Sequence, residues 1–239
     1  MPWYEKSFGV LYPLIYRHRS VEQADREVEF AIRTLGLRPG DRVLDVGSGE
    51  GRHLLALREK GMVAFGADLS PPLLRSAREG SLSVARADMR HLPFTTSFRG
   101  VLSFFTSFGY FESDEENLSV LDEMAGCLLP GGRLLIDLPN RKFIEANLVP
   151  RSEKTREGHR IVEQRSLEGD RMVKQIRVSA DNGEEEFVES VRLFTPDEIR
   201  DGLRAVGLEP DRLYGGFDEE EFDESSHRMI WTATQGGAK

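Results

Sequence analysis

A glycine-rich turn and two acidic residues stand at the ends of three successive apolar segments, and these are the residues of this chain whose types and spacing suit chemistry. The turn lies in Val43-Leu44-Asp45-Val46-Gly47-Ser48-Gly49-Glu50-Gly51-Arg52; Asp68 closes Phe65-Gly66-Ala67-Asp68, and Asp88 closes Ala85-Arg86-Ala87-Asp88-Met89. Glycines let backbone approach a ligand closely and take positive φ. A helix starting after such a turn aims free N–H groups and a positive dipole end at it. A carboxylate at the end of the second segment can accept both hydroxyls of a ribose in a charge-assisted fork. Ser70 already caps the next helix, so Asp68 is not needed for that task. The layout is that of a nucleoside-type cofactor site on an open parallel sheet. It departs from the dinucleotide fingerprint G-x-G-x-x-G, because Arg52 stands where the third glycine belongs.

The elements that must position these residues are legible from about residue 42 to 138. The spacing predicts strands at Val43–Val46, Met62–Ala67, Leu82–Ala87, Gly100–Phe105 and Arg133–Leu138. Helices fall between them: Gly51–Lys60, one opened by Ser70 and Pro71 and ending at Gly80, and one opened by a capping box, Ser113 with Glu116, running to about Leu128. Pro130-Gly131-Gly132 reads as the turn into the fifth strand. Strands alternating with helices of this length imply right-handed crossovers and a parallel sheet. After Pro139 the pattern changes to period two, over His159–Leu167, Arg171–Ala180 and Phe187–Phe194, with turn signals at Glu168-Gly169-Asp170 and Asp181-Asn182-Gly183. Three antiparallel strands do not belong in a doubly wound sheet and read as an insertion over its carboxyl edge. Thr195-Pro196-Asp197-Glu198 opens another helix, stopping at Gly207, and two last strands follow near Leu208–Tyr214 and His227–Thr234.

On these residues the chain resembles the class I S-adenosylmethionine (SAM)-dependent methyltransferases of the small-molecule type. The resemblance rests on the Asp45-to-Gly51 turn, on Asp68 and Asp88, and on Leu129-Pro130-Gly131-Gly132-Arg133-Leu134. It implies an α/β fold: a doubly wound, seven-stranded, mostly parallel Rossmann-like sheet with a small antiparallel β insertion. Residues 1–140 and 195–239 would form the cofactor-binding core, 1–40 a helical lid, and 141–194 the inserted cover of the acceptor site. It implies SAM as cofactor and S-adenosylhomocysteine (SAH) as product. Gly47, Ser48, Gly49 and Gly51 would receive the methionine part, Asp45 would order the loop beneath, Asp68 with Leu69 would take the ribose, and Asp88 with Met89 the adenine. Strand four ends in Ser103-Phe104-Phe105-Thr106-Ser107-Phe108-Gly109-Tyr110-Phe111, where methyl would meet acceptor. The Asn/Asp-Pro-Pro-Tyr/Phe motif of enzymes that methylate DNA bases or glutamine is absent there. Phe104 and Phe105 would enclose the sulfonium, whose charge suits π faces; Tyr110 is a candidate to reach a ligand.

Tyr4, Phe8, Tyr12 and Tyr16 recur every fourth residue and make one helical stripe that Pro13 must interrupt. The stripe reads either as core packing or as the lid, with Tyr12 and Tyr16 touching cofactor. Arg17, Arg19 and Arg52 are candidates to pair with the cofactor carboxylate. His53, His91, His159 and His227 show no metal spacing; His53, beside the turn, is the best placed general base, although displacement at a sulfonium does not require one. The run Asp218–Glu224 reads as a solvated loop that would favour a cationic substrate if it bordered the acceptor.

Bulk properties narrow the function classes. The net charge of −9 argues against nucleic acid as substrate. A single cysteine, Cys127, excludes an internal disulfide, reads as a small buried hydrophobe, and suits a reducing cytoplasm. No apolar run reaches the roughly 20 residues of a membrane span, and the N-terminus shows no signal peptide. A small-molecule acceptor, no membrane partner, and a monomer or homodimer are the expectations. Two alternatives share the sheet: a nicotinamide oxidoreductase, which lacks a Tyr-Lys or Cys-His pair here, and a non-catalytic SAM-binding homologue.

Overall fold

The computed structural model describes residues 2–9, 11–16, 21–180 and 183–236. Two short helices, α1 (Trp3–Ser7) and α2 (Tyr12–Tyr16), precede α3 (Val21–Leu35). The alternation then begins: β1 (Arg42–Val46), α4 (Arg52–Glu59), β2 (Val63–Asp68), α5 (Pro71–Glu79), β3 (Val84–Arg86), β4 (Phe98–Ser103), α6 (Asp114–Cys127) and β5 (Leu128–Pro139). α7 (Arg141–Asn147) leads into β6 (Arg151–Arg156), β7 (His159–Glu168), β8 (Arg171–Ala180) and β9 (Gly183–Arg192). α8 (Pro196–Ala205), β10 (Leu208–Tyr214) and β11 (Arg228–Gln235) complete the chain.

The main sheet has seven strands in the order β10-β11-β5-β4-β1-β2-β3. β1 pairs in parallel with both β2 and β4, while β11 runs antiparallel to β5 and β10. Strand order reverses beside β1, so its carboxyl end opens onto the crevice where such sheets bind ligands. Helices cover both faces. Val28, Ala31 and Leu35 of α3 and Leu54 and Leu57 of α4 pack on Val43, Leu102 and Leu135. Val120, Leu121 and Met124 of α6 and Ile199 and Leu203 of α8 pack on Leu44, Val101 and Ile136. Each Val, Leu, Ile and Met side chain among these contributes roughly 1.5–3 kcal/mol on burial.

The second sheet, β6-β7-β8-β9, is antiparallel and lies wholly within 141–194. Its apolar face, Ile161, Ile176, Val178 and Phe187, closes on Leu14 and Ile15 of α2. α2 is thereby held across from Gly47 and Ser48, at the carboxyl end of β1.

Several boundaries depart from the sequence expectation. The insertion has four strands, not three; β6 is a run of charged residues whose burial alternates weakly, so its apolar period is faint. β4 ends at Ser103, and Phe105 and Thr106 both turn to positive φ of 61° and 62°. β5 starts at Leu128, and Pro130-Gly131-Gly132 forms an irregularity within it, marked by the register shift between Phe98 and Gly100 on β4. β3 shrinks to Val84–Arg86. The Ser113 cap accepts from Glu116 N at 3.1 Å, but Glu116 gives its carboxylate to Arg90 and the reciprocal half of the box is missing. At Thr195 both halves form. The aromatic stripe breaks into α1 and α2 around Phe8–Gly9. Arg17, Arg19, Asp181, Asn182 and the tail beyond Gly236 lie outside the described residues.

Candidate functional site

The turn after β1 is built by glycines in the left-handed region: φ is 80° at Gly47, 53° at Gly49 and 83° at Gly51. Close packing also requires glycine at Gly47 and Gly51, though not at Gly49. A Cβ on Gly47 would meet Ser107 at 2.6 Å, and one on Gly51 would meet Leu82 at 2.3 Å. Gly51 therefore serves the seating of α4 on the neighbouring element, and it lines neither cavity described below. Asp68 orders the loop: Oδ2 accepts from Gly49 N at 2.8 Å and Oδ1 from Ser70 N at 2.8 Å. Burial pushes the Asp68 acid up against the pull of these backbone N–H groups.

Two cavities meet at Gly47, Gly49, Tyr12 and Ser107. The narrower, about 70 Å³, gathers Asp68, Leu69, Asp88 and Met89, and is roofed by Tyr4, Phe8, Tyr12, Tyr110 and Phe111. The wider, about 580 Å³, is walled by Ser48, Arg52, His53, Phe104 and Phe105 on the sheet side and by Tyr12 and Tyr16 opposite, with Glu157 and His159 from the second sheet at one side. The sequence candidates are thus divided between the two. Tyr110 stands in the narrow cavity, away from Phe104 and Phe105, because the loop doubles back at Gly109, whose carbonyl accepts from Arg192 N at 2.8 Å. Its ring lies 5.1 Å from Trp3 and 5.5 Å from Phe8, so it serves the roof and is not placed to act as a base at the methyl end. The roof continues through Phe8–Tyr12 at 5.0 Å and Tyr12–Tyr16 at 4.7 Å. Tyr16 donates from its hydroxyl to Glu189 at 2.6 Å, tying the roof to β9.

Asp88 is already engaged. Arg90 grips it through Nη2 at 2.6 Å and Nε at 3.1 Å, and its own backbone N–H adds 3.0 Å. Burial alone would raise this acid; Arg90 brings it below the usual range.

Beneath the wider cavity lies a buried ionic cluster. Asp45 is 1% exposed, and its Oδ2 has no hydrogen-bond partner; His53 Nδ1 stands 3.7 Å away. Burial pushes the Asp45 acid up to about 7, with Arg52 pulling the other way. His53 Nε2 is 2.7 Å from Glu27 Oε2, and its ring stacks on Phe104 at 4.2 Å. Glu27 thus occupies Nε2 of His53, the expected general-base candidate, while Nδ1 lies outside hydrogen-bond reach of Asp45.

Sequence reasoning missed three residues. Glu27 is one. Asp137 and Arg228 are the others: Asp137 Oδ2 accepts from Phe105 N at 2.8 Å, and Arg228 Nε donates to Oδ1 at 2.6 Å. This pair holds Phe105 in its left-handed conformation, a strained state for an aromatic residue. A lone acid in Leu134-Leu135-Ile136-Asp137-Leu138 was the available signal. The acidic run Asp218–Glu224 contributes to an open cavity of about 770 Å³ that also includes Glu27 and Arg228.

These residues fit a nucleoside cofactor carrying an amino acid. Gly49, Leu69 and Ser70 take three of the roughly four acceptor positions on Asp68, leaving room for a ribose donor. Ser48 Oγ is buried at the wall without a partner. Fold and site together define a Rossmann-like domain for a nucleoside cofactor. Residues 43–132 match the family model described as Methyltransferase domain. A demethylmenaquinone methyltransferase of Mycobacterium sp. (strain KMS) is 35% identical over 103 residues, 43% of this chain and 43% of that protein, so the matched segment spans less than half of that relative. A dTDP-3-amino-3,4,6-trideoxy-alpha-D-glucopyranose N,N-dimethyltransferase of Streptomyces venezuelae is 27% identical over 227 residues, 89% of this chain and 94% of that protein. SAM-bound CalS10, an amino pentose methyltransferase from Micromonospora echinaspora, superposes with a TM-score of 0.71 at 25% identity, over 94% of this chain and 96% of that one. The matched domain and the full-length similarities together support a class I SAM-dependent methyltransferase and favour it over the nicotinamide alternative.

Proposed function

We propose that this protein methylates the nitrogen of a small amine, an amino sugar being the first candidate, with SAM as donor. The observation that carries the reading is the joined pair of cavities. One gathers the ribose and adenine candidates Asp68, Leu69, Asp88 and Met89; the other widens between Phe104, Phe105 and Tyr12 beside the second sheet. The full-length similarity to two amino-sugar methyltransferases supports the acceptor class.

Gly47, Gly49, Asp68 and Asp88 would hold the cofactor, and Arg52, the carboxylate candidate, lines the wider cavity already paired with Glu27. Bound there, SAM would supply an electrophilic methyl on a cationic sulfur, with SAH as the leaving group and an acceptor lone pair as the nucleophile. Phe104 and Phe105 keep water from the reacting centre. A neutral amine needs positioning more than proton removal, in keeping with the hydrogen bond of His53 to Glu27. Glu157 and His159 are the acceptor-side candidates, and the segment 141–194 forms the cover.

Calorimetric titration with SAM and SAH, with NADH as comparison, tests the cofactor in wild type and Asp68→Ala. Micromolar binding of the sulfonium pair, lost in the variant, is expected. SAH release is then measured with nucleotide-linked amino sugars against the same sugars bearing hydroxyl for amine. Turnover confined to the amines supports the reading. Binding without turnover on any amine would leave a non-catalytic homologue, and binding of NADH alone would overturn the cofactor.

A further inference from the structure

Glu27 lies on α3, ahead of the residues matched by the methyltransferase domain, yet it is 1% exposed beneath the methyl-donor cavity. Its Oε2 meets His53 Nε2 at 2.7 Å and Arg52 Nη2 at 2.9 Å, while Gln23 donates to Oε1 at 2.9 Å. The two partners of Oε2 are the two side chains that brace the aromatic walls. His53 stacks on Phe104 at 4.2 Å, and the Arg52 guanidinium lies 4.8 Å from the Phe105 ring.

Phe105 has a second cation beside it, Arg228 at 5.6 Å. Each of these guanidiniums has its own buried carboxylate: Asp137 for Arg228 at 2.5 Å, Glu27 for Arg52. Without such acids, two positive charges would border the place where a cationic sulfur must sit. Coulomb repulsion between unit charges is severe wherever water is excluded.

We propose that Glu27 is a positioning residue of the methyl-donor site, fixing Phe104 and Phe105 through His53 and Arg52 and cancelling the Arg52 charge so that the cavity accepts a sulfonium. The inference rests on the SAM reading above. It predicts discrimination between SAM and SAH, which share every group except the methyl and its charge.

The test is calorimetry on the full chain at pH 7.5, giving Kd for SAM and for SAH, with thermal melts alongside. Glu27→Gln keeps size and a hydrogen-bond acceptor but exposes the Arg52 charge. SAM is expected to weaken about tenfold and SAH less than about threefold, because only SAM carries a charge for the uncancelled guanidinium to repel. The SAM-to-SAH Kd ratio therefore rises. Adding Arg52→Met to Glu27→Gln returns the ratio toward wild type. Arg52→Met alone, which keeps Glu27, lowers the ratio and serves if Glu27→Gln does not fold. A purely structural role would weaken both ligands together, so a ratio unchanged across these variants overturns the proposal. Wild type that binds neither ligand overturns the SAM reading, and this inference with it.

Discussion

Asp45 shows how burial turns one side chain into a pH-dependent load on the fold. Its acid is raised to about 7 by burial, against an ordinary value of 3.8. Between those values the folded chain holds a proton that the unfolded chain has lost, so Asp45 withdraws stability as pH climbs from 3.8 to about 7 and holds that loss above it. Asp45→Asn should flatten this decline. Its melting temperature should exceed that of wild type at pH 8 and match it near pH 4, with a ceiling on the gain of about 4 kcal/mol at 1.36 kcal/mol per pKa unit. Arg228→Met works in the opposite sense: it strands the buried Asp137 and should cost about 3 kcal/mol in denaturant melts. At this scale the sequence was uneven. Gly47, Gly49 and Asp68 were legible because turn and strand end are local features. Glu27, Asp137 and Arg228 acquire their roles only where the chain folds back, with Arg228 reaching Asp137 across 91 positions. Glu27 also lies four residues before Ala31 and three after Ala24, on the buried face of α3, where a carboxylate is out of place.

Among the elements, the N-terminal pair α1–α2 does the most with the fewest residues. Trp3 donates from Nε1 to the Tyr110 carbonyl at 3.3 Å and meets the Tyr110 ring of the narrow cavity's roof edge-on. Titration with SAH in a Trp231→Phe background, which leaves Trp3 as sole tryptophan, should change the emission of Trp3; an unchanged spectrum at saturating SAH would separate this segment from the cofactor. The fourfold spacing of Tyr4, Phe8, Tyr12 and Tyr16 announced an aromatic face. It could not announce the break between α1 and α2, which follows from packing against β9 and the β4–α6 loop. The Pro130-Gly131-Gly132 turn was over-read for a related reason: pairing of Leu128 with Phe98 on the neighbouring strand keeps the backbone extended on both sides of it.

At the scale of the molecule, two sheets are coupled through α2. Ile176 is 1% exposed in the contact between β8 and α2, and it lines neither cofactor cavity. Ile176→Ala should cost about 2–4 kcal/mol and, by loosening Tyr12 and Tyr16, weaken SAH severalfold in a calorimeter at a temperature where the variant is still folded. Equal affinity in the variant would mean that the second sheet only covers. The strand alternation that makes the main sheet was open to sequence reasoning throughout, since parallel strands buried on both faces are continuous apolar runs. β6 was not, because a charged edge strand borrows its structure from β7.

The position of Arg228 at the first residue of β11 also bears on how the protein is made. Chains emerge from the ribosome N-terminus first and fold as they come. β1 to β5, with the glycine loop, Asp68 and Asp88, are available long before the last strand of the sheet. The wall at Phe105 cannot be locked until β11 slides between β10 and β5 and delivers its guanidinium to Asp137. A nascent chain would hold the nucleoside half of its site early and the reacting half last, so synthesis itself sets the order in which the two halves mature.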